Sequence, residues 1–533
     1  MAIADLWGAA IVAASHGEAV EALAAHILDE RTLRAVRDAL PEDAREALAA
    51  LLQAEGKLPL AVFERRFGAV RLMGPGRFER ERPWLSPQNP AEVLWHRGLV
   101  FRAFDRINGT PAEVVFIPSD LLALIKALDP AADRAAEQAA QPAPQRARVG
   151  RLFLDDLTTL LCHIQNHTVR LRSDGSWDAS ARRAVLPLLH SPDGVTDGEP
   201  AGRFALLTRL MGRLGWVRSA EGRARLISQP VLSWLQSPTE AQAEVVLRAW
   251  LDDESLNELA LLKDIRLDLS QVNPDLVRAA RRAVARWLDE QYPDVTLPLD
   301  ARRLEQFVAF VRQHHPDFLR PDGRYDTWRV TDVASGAALD GFEHWDRVEG
   351  ALIRYWVTCP LRWLSEAAEE MTTPSPLKVT ADGLVTVSSA ARYERFQLSR
   401  VADWVRTGGR AFVYALTPRS LGRARAQGIR AHRVVEFLER HAGHSLPASL
   451  KQAIFRWEER GAEVQLSPVV LLRAPDAGVL DALVRQPEIQ RAVLERLTPT
   501  IAAIRARNLE EVRAAIVESG LLAATGDEDE QVT

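Results

Sequence analysis

Cysteine is almost absent. Cys162 and Cys359 are the two in 533 residues, too few for a disulfide framework and consistent with a reducing compartment. Lysine is nearly as scarce: Lys57, Lys126, Lys263, Lys378 and Lys451 are five of 67 basic residues, which leaves 62 arginines. A GC-rich coding sequence gives such an excess to any protein, so only the clustering of arginine carries information. No run of about 18 uncharged apolar residues occurs, so no membrane span and no membrane partner are expected. Met1 to Asp29 has no basic segment and is broken by Asp5, His16, Glu18 and Glu21, so a cytoplasmic location is expected rather than secretion. The phosphate loop G-x-x-x-x-G-K-[ST] is missing; Gly74-Pro75-Gly76 is followed by Arg77-Phe78, with no lysine to reach a phosphate. G-x-S-x-G, H-E-x-x-H and G-x-G-x-x-G are missing too, so the chain reads as non-enzymatic, with no cofactor.

What is present is a soluble globular composition, 47% hydrophobic and 26% charged, with a formal net charge of -5. The length suggests about three or four domains. Helical periodicity, punctuated by Gly and Pro, gives a mainly α chain with short β-hairpins, organised as a multi-domain array of winged-helix-like modules. Residues 1–128 read as N-terminal helices (Asp5–Ala14, Gly17–Leu40) followed by a winged-helix-like domain. In that domain the helix Glu42–Ala54 and a helix from Pro59 to Phe67 have helix-turn-helix spacing, a basic loop Arg77–Arg82 follows, and Asn108-Gly109 joins a hairpin. The Ala-, Pro- and Gln-rich residues 129–150 are a flexible linker. A second winged-helix-like module is expected at 151–236, with a hairpin closing through Glu221-Gly222, and a helical domain at 237–370. A short linker at 371–377 precedes a domain at 378–525 and an acidic tail at 526–533.

Most constellations that suggest chemistry have a plainer reading. Cys162-His163 with His167 resembles part of a zinc site, but no fourth ligand is near in sequence, so Cys162 is expected in the core and no metal is expected. Glu42-Asp43 with Glu55-Gly56-Lys57 loosely mimics a nuclease triad, but that triplet ends a helix instead of lying on a strand. Asp155-Asp156 and Asp252-Asp253 are helix neighbours whose side chains diverge, so both pairs are expected on solvated faces. Trp250, Trp287, Trp356 and Trp457 are expected in the core.

One stretch stands apart. Between Asp403 and Glu436 no acidic residue occurs, while Arg406, Arg410, Arg419, Arg423, Arg425, Arg430 and Arg433 all fall there. This is a local positive field on a mildly acidic chain. Thr417-Pro418 opens a helix that Gly428 closes, and a second helix runs from Arg430 to His441. A third, with Leu450, Ile454 and Trp457 on one face, ends at Gly461. Strands Glu463–Leu466 and Val469–Arg473 are expected to pair around Ser467-Pro468, completing a winged-helix-like unit. With Arg65, Arg66, Arg71 and Arg77 near the first helix-turn-helix, these arginines are the candidate DNA contacts.

The run Phe412-Val-Tyr-Ala-Leu-Thr-Pro-Arg-Ser-Leu421, Gly428, Leu446-Pro447 and Val469-Val-Leu-Leu472 resembles the N-terminal helicase-associated domain of XPB-type DNA helicases, over about residues 378–525. Such domains also occur in bacterial proteins that have no motor of their own. The resemblance implies contact with DNA beside a helicase, in a repair or transcription complex. The expected partners are therefore the DNA phosphate backbone, bound with low sequence specificity, and a separate helicase or transcription protein. The alternative is a protein-interaction scaffold whose winged helices touch no DNA.

Overall fold

The computed structural model describes residues 2–107, 110–128, 149–190, 202–366, 375–408, 411–461, 463 and 469–524, except residues 10, 12, 14, 294 and 296. All but the last two residues of the expected 129–150 linker, the Asn108-Gly109 turn, most of the 371–377 linker, all but Glu463 of the first strand and turn around Ser467-Pro468, and the acidic tail lie outside the described residues. The chain forms two compact units, Met1–Ala424 with Leu438–Ser445, and Arg425–Phe437 with Leu446–Thr533. The boundary expected at 371–377 falls within the first unit.

The first unit begins with helices Ala2–Leu6, His16–Ile27 and Glu30–Asp38. The single helix expected over 17–40 is two, because the Asp29 carboxylate accepts the Thr32 N–H at 2.9 Å and starts a new N-terminus. Next come the helix Glu42–Gln53, the strand Lys57–Pro59, and the helices Leu60–Phe67 and Pro90–His96. Strands Phe101–Ile107 and Thr110–Phe116 follow. The first of these three strands pairs with the last, Lys57 opposite Phe116, and the last pairs with the middle one. Gly56 closes the helix Glu42–Gln53 with φ +85°, where a Cβ would meet Leu122 at 2.6 Å. Leu51, Phe63, Leu94 and Val115 are buried together beneath this sheet. The basic loop expected at Arg77–Arg82 is mostly the helix Pro75–Glu81, started by Pro75 in its first turn.

A similar order of elements, with two α-helices in place of the three between the first strand and the hairpin, recurs twice. In the middle of the chain it comprises the helix Arg151–Asn166, a β-bridge at Arg170–Arg223, the helices Ala179–Val185 and Arg203–Arg213, and the hairpin Val217–Ala220 with Arg223–Leu226. In the second unit it comprises the helix Ala448–Arg460, the strand Val469–Arg473, the helices Ala477–Val484 and Pro487–Ala492, and the strands Val493–Thr498 and Ile501–Arg505. There too the first strand pairs with the third, Val469 opposite Arg505. Val469–Arg473 thus has a partner across two helices, Ile501–Arg505, while the local hairpin partner expected before Ser467-Pro468 lies outside the described residues.

Between the second and third recurrences lie the helices Thr239–Leu251, Pro274–Gln291, Ala301–His314 and Ala351–Thr358. Trp250, Trp287 and Trp356 are buried in their shared core, as is Trp345. Trp457 is only half-buried, a correction to its expected core position: Leu450 and Ile454 take the buried face of its helix. A four-stranded antiparallel sheet then runs in the order 403–408, 411–415, 384–388, 377–379.

The helix Arg151–Asn166 is buried along nearly its whole length, charges included. Asp155 and Asp156 are 2% and 0% exposed, not on a solvated face. Asp155 accepts from Arg392 Nε at 2.8 Å, and Asp156 from Arg203 Nε at 3.0 Å and the His190 N–H at 2.8 Å. Arg395, fully buried, donates to Thr159 Oγ1 at 2.7 Å and sits 3.4 Å from the Phe412 ring centroid. A charge taken out of water without a partner costs several kcal/mol. Asp253 is buried as well, held by Arg209 at 2.6 Å, whereas Asp252 is half-buried and pairs with Arg282 at the surface. Asp155→Ala, which leaves Arg392 buried without its carboxylate, is expected to destabilise the first unit by about 3–5 kcal/mol. Asp252→Ala is expected to change stability by less than about 1 kcal/mol. Urea midpoints of the two variants against the parent check the contrast.

Candidate nucleic-acid interface

Three of the arginines from the acid-free stretch converge on one cleft. The strand Asp403–Gly408 shifts register between Trp404 and Arg406, and Arg406 is exposed. Thr417 Oγ1 caps the helix Pro418–Ala426 by accepting the Ser420 N–H at 3.0 Å, which sets Arg419 in the first turn and Arg423 one turn further. Arg406, Arg419 and Arg423 line a cleft of about 490 Å³ together with His163, His167 and Trp404. His163 and His167 stack with ring centroids 4.4 Å apart. Burial, with the neighbouring His167, lowers the His163 pKa to about 4, so this ring is neutral at pH 7.

The three arginines are not equivalent. Arg423 donates to Asp403 Oδ1 at 2.7 Å and to the carbonyls of Ser399 and Ala402 at 3.1 Å each. Burial pushes the Asp403 carboxyl up, but the hydrogen bonds from Thr417 and Arg423 outweigh it and hold the group below its usual range. Arg423 therefore braces the fold and is committed before any ligand arrives. Arg406 and Arg419 are exposed and form no ion pair among the described residues.

Arg425, Arg430 and Arg433 belong to the second compact unit, so the run is divided between two bodies. Arg425 is exposed, Arg430 lies 3.8 Å from Glu458, and Arg433 donates to Glu436 at 2.8 Å. Arg410 lies outside the described residues.

The N-terminal arginines do not form a common set. Arg65 is held by Asp317, donates to the Gly323 carbonyl at 3.1 Å and covers the Phe342 ring at 4.9 Å. Arg66 is exposed beside Phe67. Arg71 makes a two-pronged contact with fully buried Glu92, Nε to Oε1 at 2.5 Å and Nη2 to Oε2 at 2.7 Å. Arg77 pairs with Glu81 one turn on at 2.7 Å. Sequence reading also misses the buried arginines Arg203, Arg281, Arg392 and Arg395, which reach partners such as Asp156, Glu258, Asp155 and Thr159, each 23 or more residues away.

A mainly helical chain with small antiparallel sheets, and a cleft whose three arginines come from its C-terminal third, is the class this geometry defines. In that third, residues 377–498 match the family model described as the helicase conserved C-terminal domain, which identifies a helicase-associated domain there. A comparison with curated proteins finds no match. The matched segment covers less than a quarter of the chain and contains all seven arginines of the acid-free stretch.

Glu92 gives a test of the N-terminal pairing. Burial raises its pKa, but the Arg71 guanidinium and the N–H groups of Gln88 and Arg71 overcome this and lower it from 4.5 to about 2. A carboxylate held lower in the folded state stabilises the fold above its unfolded value, and that stability is lost as pH falls from about 4.5 through about 2. Glu92→Gln is expected to weaken the fold at pH 7 and to flatten the loss of stability across that acid window. Urea midpoints measured from pH 7 down to pH 2 check it; a variant as acid-sensitive as the parent contradicts the assignment.

Proposed function

We propose that the chain is a non-enzymatic DNA-binding protein that works beside a helicase, in a repair or transcription assembly. The observation that carries this reading is the threefold recurrence of a helix, a strand or single β-bridge, helices and a hairpin, with the first strand beside the third. The order is helix, strand, helix, helix, strand, strand, with one extra helix, Pro75–Glu81, in the N-terminal copy. That is the order of a winged helix. Its third occurrence overlaps the segment that matches a helicase domain family. Within this reading, the C-terminal part is an XPB-type helicase-associated domain without a motor. The exposed arginines, Arg406 and Arg419 among them, contact phosphates with little regard for base sequence.

The internal pairing of Arg65, Arg71 and Arg77 favours a second reading for the first module, as a protein-binding face. Binding of duplex, forked and single-stranded DNA, measured by anisotropy at several salt concentrations, separates the readings. DNA binding requires log K to fall with log salt at a slope of about −3 to −5, for roughly three to five phosphates contacted on a duplex. Salt-insensitive or absent binding to all three DNAs would overturn it in favour of the scaffold. DNA-stimulated ATP hydrolysis above a buffer blank would overturn the non-enzymatic part.

A further inference from the structure

The hairpin of the middle recurrence places arginine at three of the four positions of one face, the fourth being half-buried Ala220. Val217, Ser219, Ala224 and Leu226 share one face, where Ala224 is buried and Val217 and Leu226 pack on the core. Arg218, Arg223 and Arg225 share the other and are exposed. The register sets Arg218 directly opposite Arg225, and the bridge from Arg170 to Arg223 adds a fourth arginine to that face. Arg172, two residues beyond Arg170, is exposed as well.

None of these five side chains forms an ion pair or a hydrogen bond among the described residues. Two acids lie at the edge of this face and attract it in part, Asp178 acting on Arg170 and Asp174 on Arg172, without forming an ion pair. Asp174 accepts the Ser176 N–H and hydroxyl, Asp178 caps the helix Ala179–Val185 through the Ala181 N–H, and Glu221 stands in the turn. Like charges directly opposite on paired strands are destabilising, so Arg218 and Arg225 repel each other across the hairpin. The other two hairpins are different. Lys57 pairs with Asp105 and Arg102 with Glu64 in the first, and Arg496 pairs with Asp481 in the third.

We propose that the face formed by Arg170, Arg218, Arg223 and Arg225 is a docking surface for the phosphate backbone of duplex DNA. The inference rests on the DNA-binding reading and assigns it to a surface outside the helicase-matched segment. Residues two apart on a strand are about 6.8 Å from one another, a step comparable with successive phosphates along one DNA strand. Planar guanidinium forks meet phosphate oxygens two at a time. Arg172 and Arg218 continue along the wall of a cleft of about 770 Å³, where the buried Nε of Arg182 has no acceptor among the described residues. Bound phosphates would relieve the repulsion between Arg218 and Arg225, so the charges that strain the free hairpin favour the complex.

The test compares the full chain with its Arg218→Gln, Arg223→Gln, Arg225→Gln triple variant and the corresponding triple lysine variant on one short duplex. The glutamine variant is expected to bind more than tenfold more weakly at low salt, with the slope of log K against log salt reduced by about 2.7, or about 0.9 for each phosphate no longer neutralised. The lysine variant keeps the parent slope. If the glutamine triple loses its far-ultraviolet dichroism, Arg225→Gln alone carries the test with a slope change of about 0.9. A folded glutamine variant with the parent slope overturns this surface while leaving the DNA-binding reading standing. A parent without salt-dependent binding overturns both.

Discussion

Two adjacent carboxylates, Asp155 and Asp156, lie in the middle of a helix buried along almost its whole length, and each must find a guanidinium there. That demand joins distant parts of the chain. Arg392 arrives from 237 residues downstream and Arg203 from 47, while Arg395 fills the space beside Arg392 between Thr159, Tyr414 and Phe412. Apolar burial makes this core favourable in bulk, but it does not choose which helix meets which. Buried ion pairs do, because a register that separates one leaves an uncompensated charge costing several kcal/mol. The four-stranded sheet and its helix Arg392–Leu398 belong to the first compact unit for this reason.

The same chemistry sorts the arginines by what they can still do. One that already neutralises a carboxylate of the fold, as Arg71 does for buried Glu92 or Arg423 for half-buried Asp403, must break that contact to bind phosphate. An exposed, unpaired arginine gains the whole interaction and frees condensed counterions from the DNA. By this criterion Arg406 and Arg419 stay available in the C-terminal part of the first unit. The hairpin face of Arg170, Arg218, Arg223 and Arg225 stays available in the middle. Net charge conceals both, since a chain at -5 overall can carry a strongly positive face where acids are absent or engaged.

Local signals in the sequence are read well where the structure obeys local rules. Thr417-Pro418 opens its helix, Gly428 and Gly461 close theirs with φ +78° and +75°, and Leu450 and Ile454 are buried on one helical stripe. The failures are non-local. The pairing of Val469–Arg473 with Ile501–Arg505 spans two short helices, a separation that no local spacing shows. The Asp155–Arg392 pair has no signature within any window of sequence. The acid-free stretch from 404 to 435 hides Arg423's partner, Asp403, at its very edge. By contrast, the alternation Val217-Arg218-Ser219 facing Arg223-Ala224-Arg225 is open to view: a period of two with arginine on every outward position but Ala220.

The central claim is that unpaired arginines, and not the most arginine-dense stretches of sequence, meet the DNA. Amide hydrogen exchange of the full chain with and without duplex DNA tests it most directly. The account predicts slowed exchange at residues 217–226 and around Arg419, with the helix Leu60–Phe67 unchanged. Unchanged exchange at 217–226 and at Arg419, with protection confined to residues 60–82, would contradict it.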